Sequence, residues 1–474
     1  MDKRDTILRL RNARLEIGGT TLFSGLSMEA RAGEIVLLAG RSGVGKSSLM
    51  HVISGYYPNE DAAVDCEQLE VAGHDLRGKS LLERTRYVRS VFQNARLSFA
   101  MATPYEEMLF CLENFCAPVH QMEERVMKQA RACRIQPLLH REFALLSGGE
   151  LQKVAFACAS LVEAPLYLLD EPFANIDEES IPYFIERIKR WARKGKAVCV
   201  IDHRLDFWDW VDRWYLLDER GTLQIIGVPL SAADTERLKE NGLVGDLPPK
   251  SAKPDWRYPQ REVLRLQNVS IFVSPGEPLV REINVRLHAG EMAALIGASG
   301  AGKTSFFRAL LKQCPFRGSI ELLGRPLGKV KKKELYASVG LVFQDPSLQF
   351  MAVRVSEEIR ISFPHLPEAA RREWMGRFHF DAVQDVSPWL ISQGQQRRLA
   401  FLTMACGDKK ILLVDEPTYG QDFQHACLIM TLLQGLCRRG LACIFASHDR
   451  RFVNQFAHQV MRIRDGRMEV LCHA

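Results

Sequence analysis

The feature that most constrains this chain is a series of short motifs that occurs twice, in the same order. GRSGVGKSS at 40–48 returns as GASGAGKTS at 297–305, and VFQNARLSF at 91–99 returns as VFQDPSLQF at 342–350. LSGGE at 146–150, YLLDEP at 167–172 and IDH at 201–203 return as ISQGQ at 391–395, LLVDEP at 412–417 and ASH at 446–448. Ser147 to Ser392, Glu171 to Glu416 and His203 to His448 are all one interval of 245 residues. A constant interval across three separate motifs implies duplication of a whole domain. A chain of 474 residues has room for two full cores. The expected organisation is a first domain at 1–230, a linker at 231–260 that is rich in Pro, Gly and Lys, and a second domain at 261–474.

Within each copy, short apolar runs (EIVLLAG, LYLLDEP, AVCVID; EMAALIG, KILLVDEP, ACIFASH) alternate with longer segments of helical period. That pattern predicts buried parallel strands in an α/β sheet, with the motifs at the strands' C-terminal ends, where such sheets bind ligands. YEEMLFCLENF and MEERVMKQARAC read as helices of a small inserted subdomain.

Composition excludes several classes. With 63 Lys+Arg against 57 Asp+Glu, the net charge of +6 is too evenly spread for a dedicated nucleic-acid binder, and KVKKK at 329–333 reads as a solvated loop. Twelve cysteines without one C-x-x-C imply reduced thiols rather than a disulfide framework or a zinc finger. Apolar runs such as IVLLA and ILLV fall far short of the ~20 residues of a membrane span, so the chain is expected neither to cross a membrane nor to be exported.

Both G-x-x-x-x-G-K-[ST] runs follow an apolar strand and precede a helix, the context of a phosphate-binding loop. Gly40, Arg41, Ser42, Gly43, Val44, Gly45, Lys46, Ser47 and Ser48, and likewise Gly297, Ala298, Ser299, Gly300, Ala301, Gly302, Lys303, Thr304 and Ser305, are expected to cradle a triphosphate. Lys46 and Lys303 would neutralise the β- and γ-phosphates, and Ser47 and Thr304 would ligate Mg²⁺. At the end of a later strand, Asp170 and Asp415 can hold Mg²⁺ through water, and Glu171 and Glu416 can polarise an attacking water. His203 and His448, each 32 residues after its Glu, are expected to contact the γ-phosphate.

LSGGE and ISQGQ resemble the ABC signature. With the P-loops, Gln93 and Gln344, the two DEP segments and the histidines, the resemblance spans both halves, so the chain resembles a tandem ABC ATPase. The resemblance implies ATP and Mg²⁺ as ligands, with Gln93 and Gln344 reaching the metal or the attacking water. It also implies two RecA-like α/β cores, each with a helical and an antiparallel β subdomain, paired head to tail. One site would then join the first P-loop with Ser392, Gly394 and Gln395; the other would join the second P-loop with Ser147, Gly149 and Glu150. Gln393 replaces the first glycine of the usual signature, yet Ser392 and Gly394 remain, so both sites are expected to hydrolyse ATP. The aromatic that family members place before the P-loop to stack on adenine is missing around Ile17 and Ser274, with Phe272 the nearby candidate. Base selectivity is therefore expected to be loose.

Within the family, D-P-x-x-Q-F after the Q-loop Gln resembles the energy-coupling factor (ECF) importers of vitamins, their precursors and transition metals. Asp345, Pro346, Gln349 and Phe350 reproduce it, whereas the first copy has Asn94, Ala95 and Ser98. Such a subunit works with a transmembrane coupling protein and a membrane-embedded substrate-binding subunit at the cytoplasmic face of the membrane. ASHDRRFV at 446–453 resembles ribosome-associated ABC translation factors instead, but their long charged linker has no counterpart here. Tandem sugar-importer ATPases usually lose the second P-loop, which is intact in this chain, and the zinc-binding cysteines of a DNA-repair ATPase group are lacking.

Overall fold

The computed structural model describes residues 5–59, 61–92, 95–173, 176, 180–249, 261–273, 276–298, 300–405 and 409–471. The chain divides into two compact units, Met1–Gly245 and Asp246–Ala474.

In the first unit the strands Ile35–Gly40, Leu166–Asp170 and Ala197–Ile201 are buried at every position. A strand apolar on both faces needs cover on both, and these three form the middle of a six-stranded sheet. Its order is Leu223–Ile226, Arg213–Leu217, Ile35–Gly40, Ala197–Ile201, Leu166–Asp170, Val88–Val91, parallel except for the first pair. Strand Thr6–Ile17 shows mixed burial instead, and it pairs antiparallel with Thr20–Arg31 and Gln68–Val71 in a separate sheet. Helices Pro104–Glu113, Val119–Ala132 and Gly148–Leu161 form the inserted subdomain. The first and third begin at reciprocal caps, Thr103 with Glu106 and Ser147 with Glu150, so each satisfies its own terminal donors.

The second unit repeats this plan with its strands joined into one ten-stranded sheet. Met292–Gly297, Ala442–Ala446, Ile411–Asp415 and Val339–Val342 are the parallel neighbours that carry the motifs. Here Arg281 bridges to Arg467 and connects the antiparallel strands to the parallel ones. Its helical subdomain includes Val355–Ser362, Glu368–Arg377 and Gln393–Ala405.

Two expectations are corrected. Residues 231–245, assigned to the linker, contain the helix Ala232–Glu240, capped by Ser231, with Leu238 and Leu243 buried in the core of the first unit. Two apolar anchors are too few to register as a helical period, yet they seat the segment. Lys332 and Lys333, read as loop, open the helix Lys332–Ser338. Among the described residues no cysteine forms a disulfide, and no helix is long and apolar enough to cross a membrane.

Candidate functional site

In each unit the phosphate loop leaves a central strand and enters a helix, Lys46–Ser54 or Lys303–Leu310. Gly45 and Gly302 sit before these helices at φ 102° and 107°, a conformation that side chains resist. Gly40 has a different reason to be glycine: a Cβ there would lie 2.6 Å from the Leu217 carbonyl oxygen, and at Gly297 2.8 Å from that of Ile463. The loop is thus pressed against the neighbouring strand. Lys46 Nζ donates to the carbonyls of Gly40 and Arg41, both at 2.7 Å, and Lys303 Nζ donates to Gly297 at 2.7 Å and Ala298 at 3.2 Å. Both lysines are buried, so each cation lies across its loop, where a phosphate would meet it.

The carboxylates lie opposite. Thr304 Oγ1 donates to Asp415 Oδ2 at 2.8 Å, and Ser47 makes the matching bond to Asp170. Burial, reinforced by the adjacent Glu171 charge, pushes the Asp170 carboxyl up to about 6; Asp415 is raised for the same two reasons, with Glu416 as neighbour. A buried, under-compensated carboxylate bonded to a hydroxyl is a fitting partner for a hard cation with oxygen ligands. No cluster of three His, Cys, Asp or Glu able to hold a metal alone occurs among the described residues. The residues therefore fit a Mg²⁺ ion shared with nucleotide phosphates, with Ser47 and Asp170, or Thr304 and Asp415, on the protein side. When bound, such an ion would neutralise phosphate charge.

Glu171 and Glu416 have φ of 46° and 52°, left-handed values that are uncommon for a residue with a Cβ. Their amides donate to Ile201 (2.8 Å) and Ala446 (3.0 Å) on the next strand, which holds the turn. The turn brings each carboxylate to its histidine: His203 Nε2 lies 2.9 Å from Glu171 Oε1, and His448 Nε2 3.3 Å from Glu416 Oε1. His448 Nε2 is also 3.0 Å from Lys303 Nζ. Burial pushes the Glu416 carboxyl up to about 7, in the range of a group that exchanges a proton at neutral pH. The structure thus gathers lysine, hydroxyl, aspartate, glutamate and histidine at one sheet edge in each unit. Gln344 follows strand Val339–Val342 and is exposed; Gln93 and Ser299 lie outside the described residues, as do Asn94 and Ser274. Phe272, the adenine candidate, lies under Arg317, whose guanidinium carbon is 5.2 Å from the ring centroid.

In the signatures, Ser147 N and Oγ both donate to Glu150 Oε2 at 2.8 Å, and Ser392 N donates to Gln395 Oε1 at 2.9 Å. Glu150 and Gln395 therefore serve first as helix caps. What each signature presents is a hydroxyl and a helix N-terminus, a combination suited to an anion.

Sequence reasoning missed a group around His203. Asp202, which Ser447 replaces in the second unit, accepts from Trp208 Nε1 and from the Arg204 amide, both at 2.9 Å. Trp208 is fully buried and stacks on Phe173 with centroids 4.9 Å apart. The histidine segment and the turn after Glu171 are thereby packed together. The signal is visible as IDH against ASH, an acid before one histidine only. Burial pushes the Asp202 carboxyl up to about 6. A carboxyl raised on folding binds more protons folded than unfolded, so its contribution to stability falls as pH rises from about 4 to about 6. Asp202→Asn is accordingly expected to gain thermal stability over the native chain as pH is raised from 4.5 to 7.5, by roughly 2 kcal/mol. Melting curves at the two pH values check this; a pH-independent difference refutes it.

Residues 23–174 and 280–419 match the sequence family described as ABC transporter, one segment in each unit. The chain belongs to the ABC transporter family. It is a tandem ABC ATPase, with one nucleotide-binding domain per unit. This ABC ATPase is 33% identical to the putative HMP/thiamine import ATP-binding protein YkoD of Bacillus subtilis, over 94% of this chain and 87% of that protein. It is 29% identical to a putative ABC transporter ATP-binding protein of Treponema denticola, covering 98% and 96% of the two chains. Among solved structures it resembles a chain of ribosome-bound archaeal Pelota and ABCE1, with TM-score 0.69 at 20% identity, covering 97% of this chain and 78% of that one. At that identity the likeness is one of fold.

Proposed function

We propose that this ABC ATPase is the ATP-hydrolysing subunit of an ECF-type importer that drives uptake of a vitamin, a vitamin precursor or a transition metal ion. The observation that carries the reading is the 33% identity, over 94% of the chain, to a protein named for HMP/thiamine import. The lysine, hydroxyl, aspartate, glutamate and histidine gathered in each unit support a motor that hydrolyses at both sites. In the proposed cycle the domains pair head to tail. Lys46, Ser47, Gln93, Asp170, Glu171 and His203 would act on one ATP with Ser392, Gly394 and Gln395. Lys303, Thr304, Gln344, Asp415, Glu416 and His448 would act on the other with Ser147, Gly149 and Glu150. ATP binds the closed pair more tightly than the open one, and hydrolysis removes that preference.

The proposed partners are a transmembrane coupling protein and a membrane-embedded substrate-binding subunit, with the ATPase on the cytoplasmic face. A docking role for 345–353 is supported by what that segment exposes. Gln349 and Phe350 turn inward, Gln349 Nε2 donating to the Ala400 carbonyl at 2.8 Å, while Leu348, Met351 and Val353 are each more than 70% exposed. Trp389 Nε1 donates to the Ser347 carbonyl, adding Trp389 and exposed Leu390 to the apolar face. In the first unit Leu97 and Leu145 match Leu348 and Leu390, but the smaller Ala100, Ala102 and Ala144 stand at the positions of Met351, Val353 and Trp389, which supports unequal grips on the coupling protein.

The full chain, tagged and expressed in cells, is expected to sediment with membranes, and Leu348→Ala with Met351→Ala to release it while ATP turnover is retained. Recovery with ribosomes instead would favour the translation-factor reading that ASHDRRFV suggests and would overturn this one.

A further inference from the structure

Arg397 lies in the helix Gln393–Ala405, three residues after Gly394, and is 4% exposed. Its Nη1 donates to the carbonyl of Glu416 and its Nη2 to the carbonyl of Gln344. The guanidinium carbon is 4.9 Å from the centroid of the Tyr419 ring, three residues beyond Glu416. One buried cation therefore touches three segments that the sequence keeps apart: the signature helix, the Q-loop and the turn that holds the hydrolytic glutamate. No other side chain delivers two donors in a fixed plane at that spread, and a lysine would reach one carbonyl at a time. The residue at the same place in the first unit is Gln152; it is 2% exposed, and its Nε2 has no hydrogen-bond partner among the described residues.

We propose that Arg397 is a positioning residue that couples the two nucleotide sites, by fastening the signature helix offered to one ATP to the Glu416 turn that acts on the other. The inference rests on the head-to-tail pairing proposed above. A shift of the signature helix when the first ATP binds is carried by the guanidinium to the Glu416 and Gln344 backbones, and so to the geometry in which water is attacked at the second. Among the described residues Gln152 Nε2 makes no corresponding bond, so the link is assigned to the second unit. The two sites are therefore linked through the signature helix of the second unit.

The test uses the full chain with one site silenced at a time. With Glu171→Gln, so that the Glu416 site alone turns over, Arg397→Gln is expected to lower kcat about tenfold while KM for ATP stays within about twofold, and Arg397→Lys to recover part of the loss. With Glu416→Gln, so that the Glu171 site alone turns over, Arg397→Gln is expected to lower kcat about threefold through the displaced signature helix. Unchanged kcat in both backgrounds, or a loss that merely follows the melting temperature across Arg397→Gln and Arg397→Lys, overturns the proposal. A loss confined to the Glu171→Gln background overturns the cross-site link. Ser392→Ala in the Glu416→Gln background separates that failure from failure of the pairing. If Ser392→Ala slows the Glu171 site and Arg397→Gln does not, the proposal is wrong; if Ser392→Ala has no effect, the pairing is wrong.

Discussion

Glu171→Gln with Glu416→Gln in one chain is expected to lower ATP turnover at saturating ATP by at least about 10²-fold, the scale of a lost general base. Glutamine keeps the size of the side chain and the left-handed backbone while removing the carboxylate, so nucleotide binding should survive and the chain should accumulate with ATP bound. Each single substitution is expected to remove the share of turnover that belongs to its own site. Steady-state phosphate release, measured beside equilibrium binding of ATP, checks both parts. A single variant with unaltered turnover would show that its site does not hydrolyse. The two halves need not lose equally: His448 sits between Lys303 and Glu416, whereas His203 faces Glu171 at 2.9 Å with its Nδ1 buried and without a hydrogen-bond partner among the described residues.

Lys46→Ala and Lys303→Ala act on a different quantity. Each removes a buried cation that bridges two loop carbonyls, and on the proposed role each also removes a charge-assisted bond to phosphate. Bonds to charged groups contribute about 1.5–3 kcal/mol each. Losing one or two at a phosphate is expected to weaken ATP binding at that site about 10²-fold. Arginine in either position should rescue poorly, because the loop is packed against the next strand and has no room for a planar fork. Titration of a fluorescent ATP analogue into each variant gives the measurement. A variant that still binds two equivalents with native affinity would remove that lysine from the site.

The parts of the fold that the sequence declares are those a short stretch of chain dictates for itself. IVLLAG and LYLLD, short apolar runs each closed by a turn motif, read as strands covered on both sides, and a glycine-rich run between strand and helix has few other uses. The proposed catalytic set is legible for the same reason, since its members sit at strand ends or at the start of the helix after the phosphate loop, and the sheet assembles them. What stays hidden are contacts between segments remote in the chain. No motif marks Arg397, whose partners are the carbonyls of Gln344 and Glu416. Asp202 reads as an ordinary strand-end acid until Trp208 closes on it. Gln349 reads as part of a partner-facing motif, yet it is spent on Ala400 and Thr403 inside its own unit. Backbone groups carry no residue code, so side chains that serve them leave little trace in a motif.

The helix Ala232–Glu240 has a further consequence through Arg41. That residue belongs to the first phosphate loop, yet its side chain leaves the loop to donate to the carbonyls of Asn241 (2.9 Å) and Glu240 (3.3 Å) and to pair with Glu219. In the second loop Ala298 stands in its place and has nothing to reach with. The end of the helix Ala232–Glu240 is therefore hydrogen-bonded to the phosphate loop of its own unit. A displacement of the end of that helix would therefore reach the first phosphate loop through a single side chain, Arg41.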